Sequence, residues 1–186
     1  MSDYFLSRGT GRNVLIAFGL VVVSVAMFNF VLTPAYQSVS AGFVPFDLQF
    51  PLTREMIIIQ LGAMSEDSFD AYVRFAMFDM AFPIFGAAFF VLFWAWLVTQ
   101  STSAVLMAFY RRGWWIWALF PAVCDLAENI LFLQIINRHP DPVLNLIEWA
   151  VDVHRGKLVF MSVAQVISVV LILLTMVLRW RNSRAR

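Results

Sequence analysis

Three carboxylates lie inside apolar runs long enough to cross a bilayer: Asp79, Asp125 and Glu128. An ionisable side chain at the bilayer centre costs roughly 2.5–3.5 kcal/mol on insertion scales, so each needs a partner or a use. Asp125 and Glu128 are three residues apart and Asn129 follows, in the motif D-L-A-E-N. At 3.6 residues per turn the three share an arc of about 100° on one helix face. Such a face suits a proton relay, a ligand pocket or a catalytic acid. It equally suits a hydrogen-bond network that holds helices together.

Neighbouring runs offer partners. Asp79, Pro83 and Gly86 fall within about 60° of one another on a helix. Pro83 lacks an N–H, which leaves the Asp79 carbonyl without its helical donor, and Gly86 admits close approach of a neighbour. Near the end of the chain, His154, Lys157, Met161, Gln165 and Ser168 form one helical stripe. Depth, at about 1.5 Å per residue, puts Asp125 near the midplane, with Glu128, Asn129 and Gln165 just outward of it. Asp79, Lys157 and Asn29 lie nearer the outer surface, where Lys157 meets Asp79 or Glu128 more easily than Asp125. His154 reads as a loop residue near water. Tyr72 and Trp149 read as interface anchors able to roof a cavity.

The candidate ligand-binding or polar-network residues are therefore Asp79, Asp125, Glu128, Asn129, Lys157, Gln165, His154 and Tyr72. No catalytic residue is assigned. Neither HxxxH nor HExxH occurs, so no metal is expected. GxGxxG and GxxxxGK[ST] are absent, no cofactor is expected, and Ser162, His154 and Asp79 have no nucleophile elbow to make them a triad. The single cysteine, Cys124, excludes an internal disulfide and reads as a small apolar residue.

The elements that position these residues follow from composition. Of 186 residues, 61% are hydrophobic and 13% charged, against roughly 45–50% and 25% in soluble domains. Four runs, about 13–33, 75–99, 114–136 and 158–178, reach the length of about 20 residues that spans the hydrocarbon core. The first is too long for a signal core and reads as a retained helix. The expectation is an all-α polytopic membrane protein. It would be a single membrane domain over 1–186, a four-transmembrane-helix bundle with a short extracytoplasmic helix in the first outside loop.

That loop, 34–74, has Thr53 as a cap for REMIIIQLGAM. Ile57, Ile58 and Ile59 in that helix would lie on the membrane or on the helix ends. Ser65 caps a second helix that runs through Tyr72 into the second span. In the other outside loop, 137–157, Asp141 and Pro142 open a helix that joins the fourth span unless Gly156 breaks it. Trp114, Trp115 and Trp117 mark an interface.

The motifs resemble a group of uncharacterised bacterial four-span membrane proteins. The likeness rests on the loop segment PLTREMIIIQLGAMSEDSFDAYVRF, F-D-M-A-F-P-I-F-G, D-L-A-E-N-I-L and a lysine opening the last span. It covers most of the chain and brings no activity with it. Where that group often carries a threonine near the lysine, this chain reads V-D-V-H-R-G-K. An architectural likeness to the sterol-isomerase and sigma-2-receptor group implies only that such bundles can hold carboxylates in a lipid-accessible pocket.

The expected function is an integral membrane protein with a carboxylate-lined pocket for a lipid-like or cationic ligand in the outer half of the bundle. An enzyme with Glu128 or Asp125 as acid or base is a subtype. A proton-coupled carrier or channel and a structural accessory subunit are the alternatives. The expected partners are membrane lipid and a lipid-like small molecule, with no nucleic acid; a homo-oligomer is compatible with the sequence.

Arginine placement orients the chain. Segments 1–12, 100–113 and 179–186 carry eight basic residues, among them Arg111, Arg112, Arg179 and Arg186, while the two longer loops carry five basic and eight of the twelve acidic residues. Basic segments stay on the cytoplasmic side, so both termini are expected inside the cell inner membrane. A cysteine at position 70 should react with an impermeant thiol reagent in intact cells and one at position 184 should not; labelling at 184 would reverse the topology.

Overall fold

In a computed structural model the chain is all-helical, with four helices long and apolar enough to cross a membrane. It is a multi-pass membrane protein. The structure describes residues 1–141 and 143–184. Pro142, expected to open a helix, and Arg186, counted with the inside arginines, lie outside the described residues.

A short helix α1 (Ser2–Arg8) precedes the first span, which comprises α2 (Gly11–Met27), a π-helical turn (Phe28–Leu32) and α3 (Thr33–Val39). The first long loop holds a 3₁₀ turn (Phe46–Leu48) and α4 (Arg54–Ala63). The second span is α5 (Glu66–Asp79) followed by α6 (Phe82–Ser101). After α7 (Ala104–Arg111), a 3₁₀ turn (Trp114–Ala118) leads into α8 (Phe120–Ile136), and α9 (Leu144–Arg184) completes the bundle.

Local chemistry explains the boundaries. Thr53 and Ser65 each accept a hydrogen bond from the backbone N–H three residues on, as expected for N-caps. Helix α9 runs unbroken through Gly156 and starts at Leu144 rather than beside Asp141. The second span is interrupted at Met80 and Ala81, just before Pro83, whose ring cannot sit over the preceding turn.

The seam between α8 and α9 is the spine of the bundle. On α9 the inward residues are Ile147, Ala150, His154, Lys157, Ala164 and Ser168, a strict three-four spacing with half-buried Met161 between. On α8, Pro121, Asp125, Glu128, Phe132 and Ile135 keep the same spacing. This 3.5-residue repeat marks left-handed, coiled-coil-like packing. It also corrects the expectation for Gln165, which is exposed. A 3.6-residue projection keeps Gln165 on the stripe, but a 3.5-residue seam turns it out and brings in Ala164.

Two apolar cores lie along this spine. One, at the end carrying the long loops, gathers Tyr36, Phe46, Ile57, Leu61, Tyr72, Phe132 and Ile147. The other gathers Val91, Trp94, Ala95, Val98, Trp115 and Ala164. Tyr72 is thus a core residue, 1% exposed and edge-on to Tyr36, and not an interface anchor; Trp149 is 60% exposed and roofs nothing. Ile57 is buried, while Ile59 faces outward, so α4 sits on the helix ends and presents an apolar back. Gln60, wholly buried, donates to Tyr36 Oη (2.7 Å) and to the Val44 carbonyl (3.0 Å), pinning the loop to the first span. At the same end Arg54 pairs with Glu148 at 2.8 Å.

The opposite end is tied by contacts the sequence did not suggest. Trp115 Nε1 donates to Ser2 Oγ (3.0 Å), and Asn182 donates to Thr102 Oγ1 (3.1 Å). The close helix approach expected at Gly86 occurs instead at Gly9. A Cβ on Gly9 would meet Ala95 Cβ at 2.6 Å and the Trp96 backbone nitrogen at 2.9 Å, whereas one on Gly86 would meet nothing within 4 Å. Overpacking of this kind costs about 1–3 kcal/mol. Gly9→Ala should therefore lower the thermal midpoint in detergent while Gly86→Ala, a helix-interior glycine facing open space, should not lower it and should raise it slightly; a drop of equal size in both would mean that α1 does not pack on α6 as described.

Candidate functional site

The ionisable and amide side chains buried within the spans collect in one layer between the two apolar cores. Asp79 ends α5 and is 3% exposed. The interruption that follows it leaves its side chain facing α8, where Asn129 Nδ2 donates to Asp79 Oδ2 at 2.8 Å. The expected pairing of Asp79 with Lys157 is not made: the ammonium is held by Asp125 and Glu128 instead.

Lys157 reaches deeper than its place near the start of the fourth apolar run implies. Its ammonium donates to Asp125 Oδ1 at 3.1 Å and forms an ion pair with Glu128 Oε2. Glu128 is fully buried, and its other oxygen meets His154 Nδ1 at 2.7 Å. His154 is therefore no loop residue near water: α9 begins ten residues before it and carries it inward, 3% exposed. Its Nε2 is buried without a hydrogen-bond partner. Asp125, Lys157, Glu128 and His154 thus form one chain of contacts and Asp79 with Asn129 a second, and the two meet at one cavity wall, with Tyr72 in the apolar core beside them and Gln165 outside.

The structure adds a residue that the sequence reading missed. Asp47, in the 3₁₀ turn of the first loop, lines a cavity of about 240 Å³ together with Asp79, Asp125, Lys157, Asn29 and the apolar Val25, Phe28, Leu48 and Phe82. Asp47 is half-buried as a residue, yet its Oδ1 is closed off and finds no hydrogen-bond partner. Burial, and next the charge of Asp79, push its carboxyl well above the usual range; the Lys157 ammonium opposes this in part. A signal was present in the sequence: Asp47 is the only charged residue in the apolar stretch FVPFDLQFP.

A second, apolar chamber of about 180 Å³ adjoins through shared walls at Phe82 and Asp125. It is lined by Phe18, Pro83, Gly86, Phe90, Pro121 and Met161 among others. Four carboxylates thus surround one lysine, and that lysine is already shared by two of them. The arrangement can donate and accept protons, and its cavity can receive a hydrogen-bond donor or a cation. Compared with known proteins, the chain matches no family model, no curated protein and no solved structure.

The shared ion pair makes a quantitative prediction. Removing one partner of a buried pair typically costs about 3–5 kcal/mol, because the other charge is left uncompensated. Lys157→Met should destabilise the protein most. Glu128→Gln should cost less, because Asp125 still meets the ammonium, and Asp125→Asn should keep the fold. In thermal or denaturant unfolding the double variant Glu128→Gln/Lys157→Met should fall short of the summed single effects by about 1–3 kcal/mol. Strict additivity would mean that the pair contributes nothing.

Proposed function

We propose that this chain is an inner-membrane protein, with both termini cytoplasmic, whose acidic cavity binds a lipid-like or cationic ligand in the outer half of the bilayer. The observation that carries this reading is the imbalance at the cavity wall. Asp47, Asp79 and Asp125 face one space, and among the described residues the only ammonium there is committed to Asp125 and Glu128. A buried acceptor left without a partner costs about 1–3 kcal/mol. A ligand bringing a donor or a positive charge to Asp47 and Asp79 would recover that cost.

The placement supports the outer half. The cavity is walled by the loop turn at Asp47 and by span residues from the level of Asp125, near the midplane, towards that loop, and arginine counting puts the loop outside. A carrier would need polar groups continuing beyond Asp125 towards Arg111 and Arg112. The space beyond Asp125 is walled by Phe18, Val21, Phe89, Phe90, Ala118 and Pro121, which weighs against a proton path.

The test is stabilisation by a small organic cation. Butylamine added to protein in lipid nanodiscs should raise the unfolding midpoint; at a hundred times its dissociation constant a ligand adds about 2.7 kcal/mol. Asp47→Asn and Asp79→Asn should each weaken this response without loss of the fold. No stabilisation of the wild type, or the same stabilisation in both variants, would overturn the reading.

A further inference from the structure

The two cavities share walls, and their linings differ in kind. The first has three carboxylates and a lysine among its nine lining residues; the second has Asp125 at its boundary and is otherwise apolar. We propose that together they form one site for a single-chain amphiphilic amine. Its head would lie between Asp47 and Asp79, and its alkyl tail would fill the chamber between α2, α6 and α8. This rests on the cation-binding reading and specifies the ligand class.

Three observations converge. The first is Asp47, which lines the head cavity and whose Oδ1 is buried without a hydrogen-bond partner. A primary ammonium supplies three donors to such a wall and offsets the acidic excess. The second is Gly86. Glycine inside a helix is unfavourable unless something requires it, and here no neighbour does, since an added Cβ would meet nothing within 4 Å. What Gly86 borders is the tail chamber, so its lack of a side chain keeps that chamber open. The third is length. The chamber runs along α6 from Phe82 to Phe90, about 12 Å at the helical rise, which an extended chain of roughly eight to ten carbons fills.

Ring faces complete the tail chamber. Phe89 and Phe18 lie 5.6 Å apart between centroids, and Pro121 and Ala122 close the α8 side. A head group carrying only a hydroxyl would meet the same walls without neutralising them. Chain and charge are therefore both required.

Decylamine, butylamine and decanol, each titrated against the protein in nanodiscs of one lipid composition, separate the possibilities. The wild type should bind decylamine at least tenfold more tightly than do Gly86→Leu and Ala122→Phe, which fill the chamber from opposite walls. Partition of the probe into lipid is common to all three proteins, so the ratio reports the chamber. Butylamine should bind wild type and both variants alike, which also shows that the variants fold, and decanol, a donor without charge, should bind the wild type at least tenfold more weakly than decylamine. Equal decylamine affinity in all three proteins would overturn the tail assignment while leaving cation binding intact. Decanol binding as tightly as decylamine would overturn the amine head. Failure of every amine, butylamine included, would remove the cation reading itself.

Discussion

The ammonium of Lys157, held between Asp125 and Glu128, is the interaction on which the bundle depends. It joins α8 to α9 at the level where neither apolar core reaches. Burying three charged groups is costly, and the cost is offset only where each charge meets its opposite and the remaining lone pairs are used. His154 on Glu128 supplies one such bond, and Asn129 serves the neighbouring Asp79 in the same way. Because the acids and the lysine sit on matching three-four seams, a shift of either helix by one residue would strand a charge in lipid. The polar layer therefore sets register as well as adhesion, much as a polar seam residue does in a coiled coil.

From that layer the rest of the site follows. Pro83 ends the regular helix beyond Asp79, and the interruption leaves the Asp79 side chain turned towards Asn129. The first loop then folds over the helix ends, pinned through Gln60 to Tyr36 and Val44, and this carries Asp47 to the cavity wall. The loop is thus a structural cover with a charged residue on its inner side.

Much of this was legible from residue types and spacing. Apolar run length gave the spans, Thr53 and Ser65 marked their helices, and D-L-A-E-N marked the polar face of α8. What failed did so for physical reasons. A straight 3.6-residue projection puts Gln165 with the partners because it ignores the packing seam. Hydropathy falls along V-D-V-H-R-G-K, which favours a loop at His154, although helix α9 continues through it. Gly86 has the form of a contact glycine, but its neighbours leave space there, and the close contact forms at Gly9. Asp47 escaped because a loop charge looks solvated until the loop is known to fold back.

We propose that buried carboxyl groups in excess of their cations receive a positively charged ligand. Infrared difference spectroscopy of the carboxyl stretch, recorded as decylamine is added at neutral pH, measures this most directly. A protonated-carboxyl band should be lost and a carboxylate band gained as the amine binds, and Asp47→Asn should remove that component of the change. Saturable binding with no change in the carboxyl region would contradict it, because the charge would then be met somewhere other than at these acids.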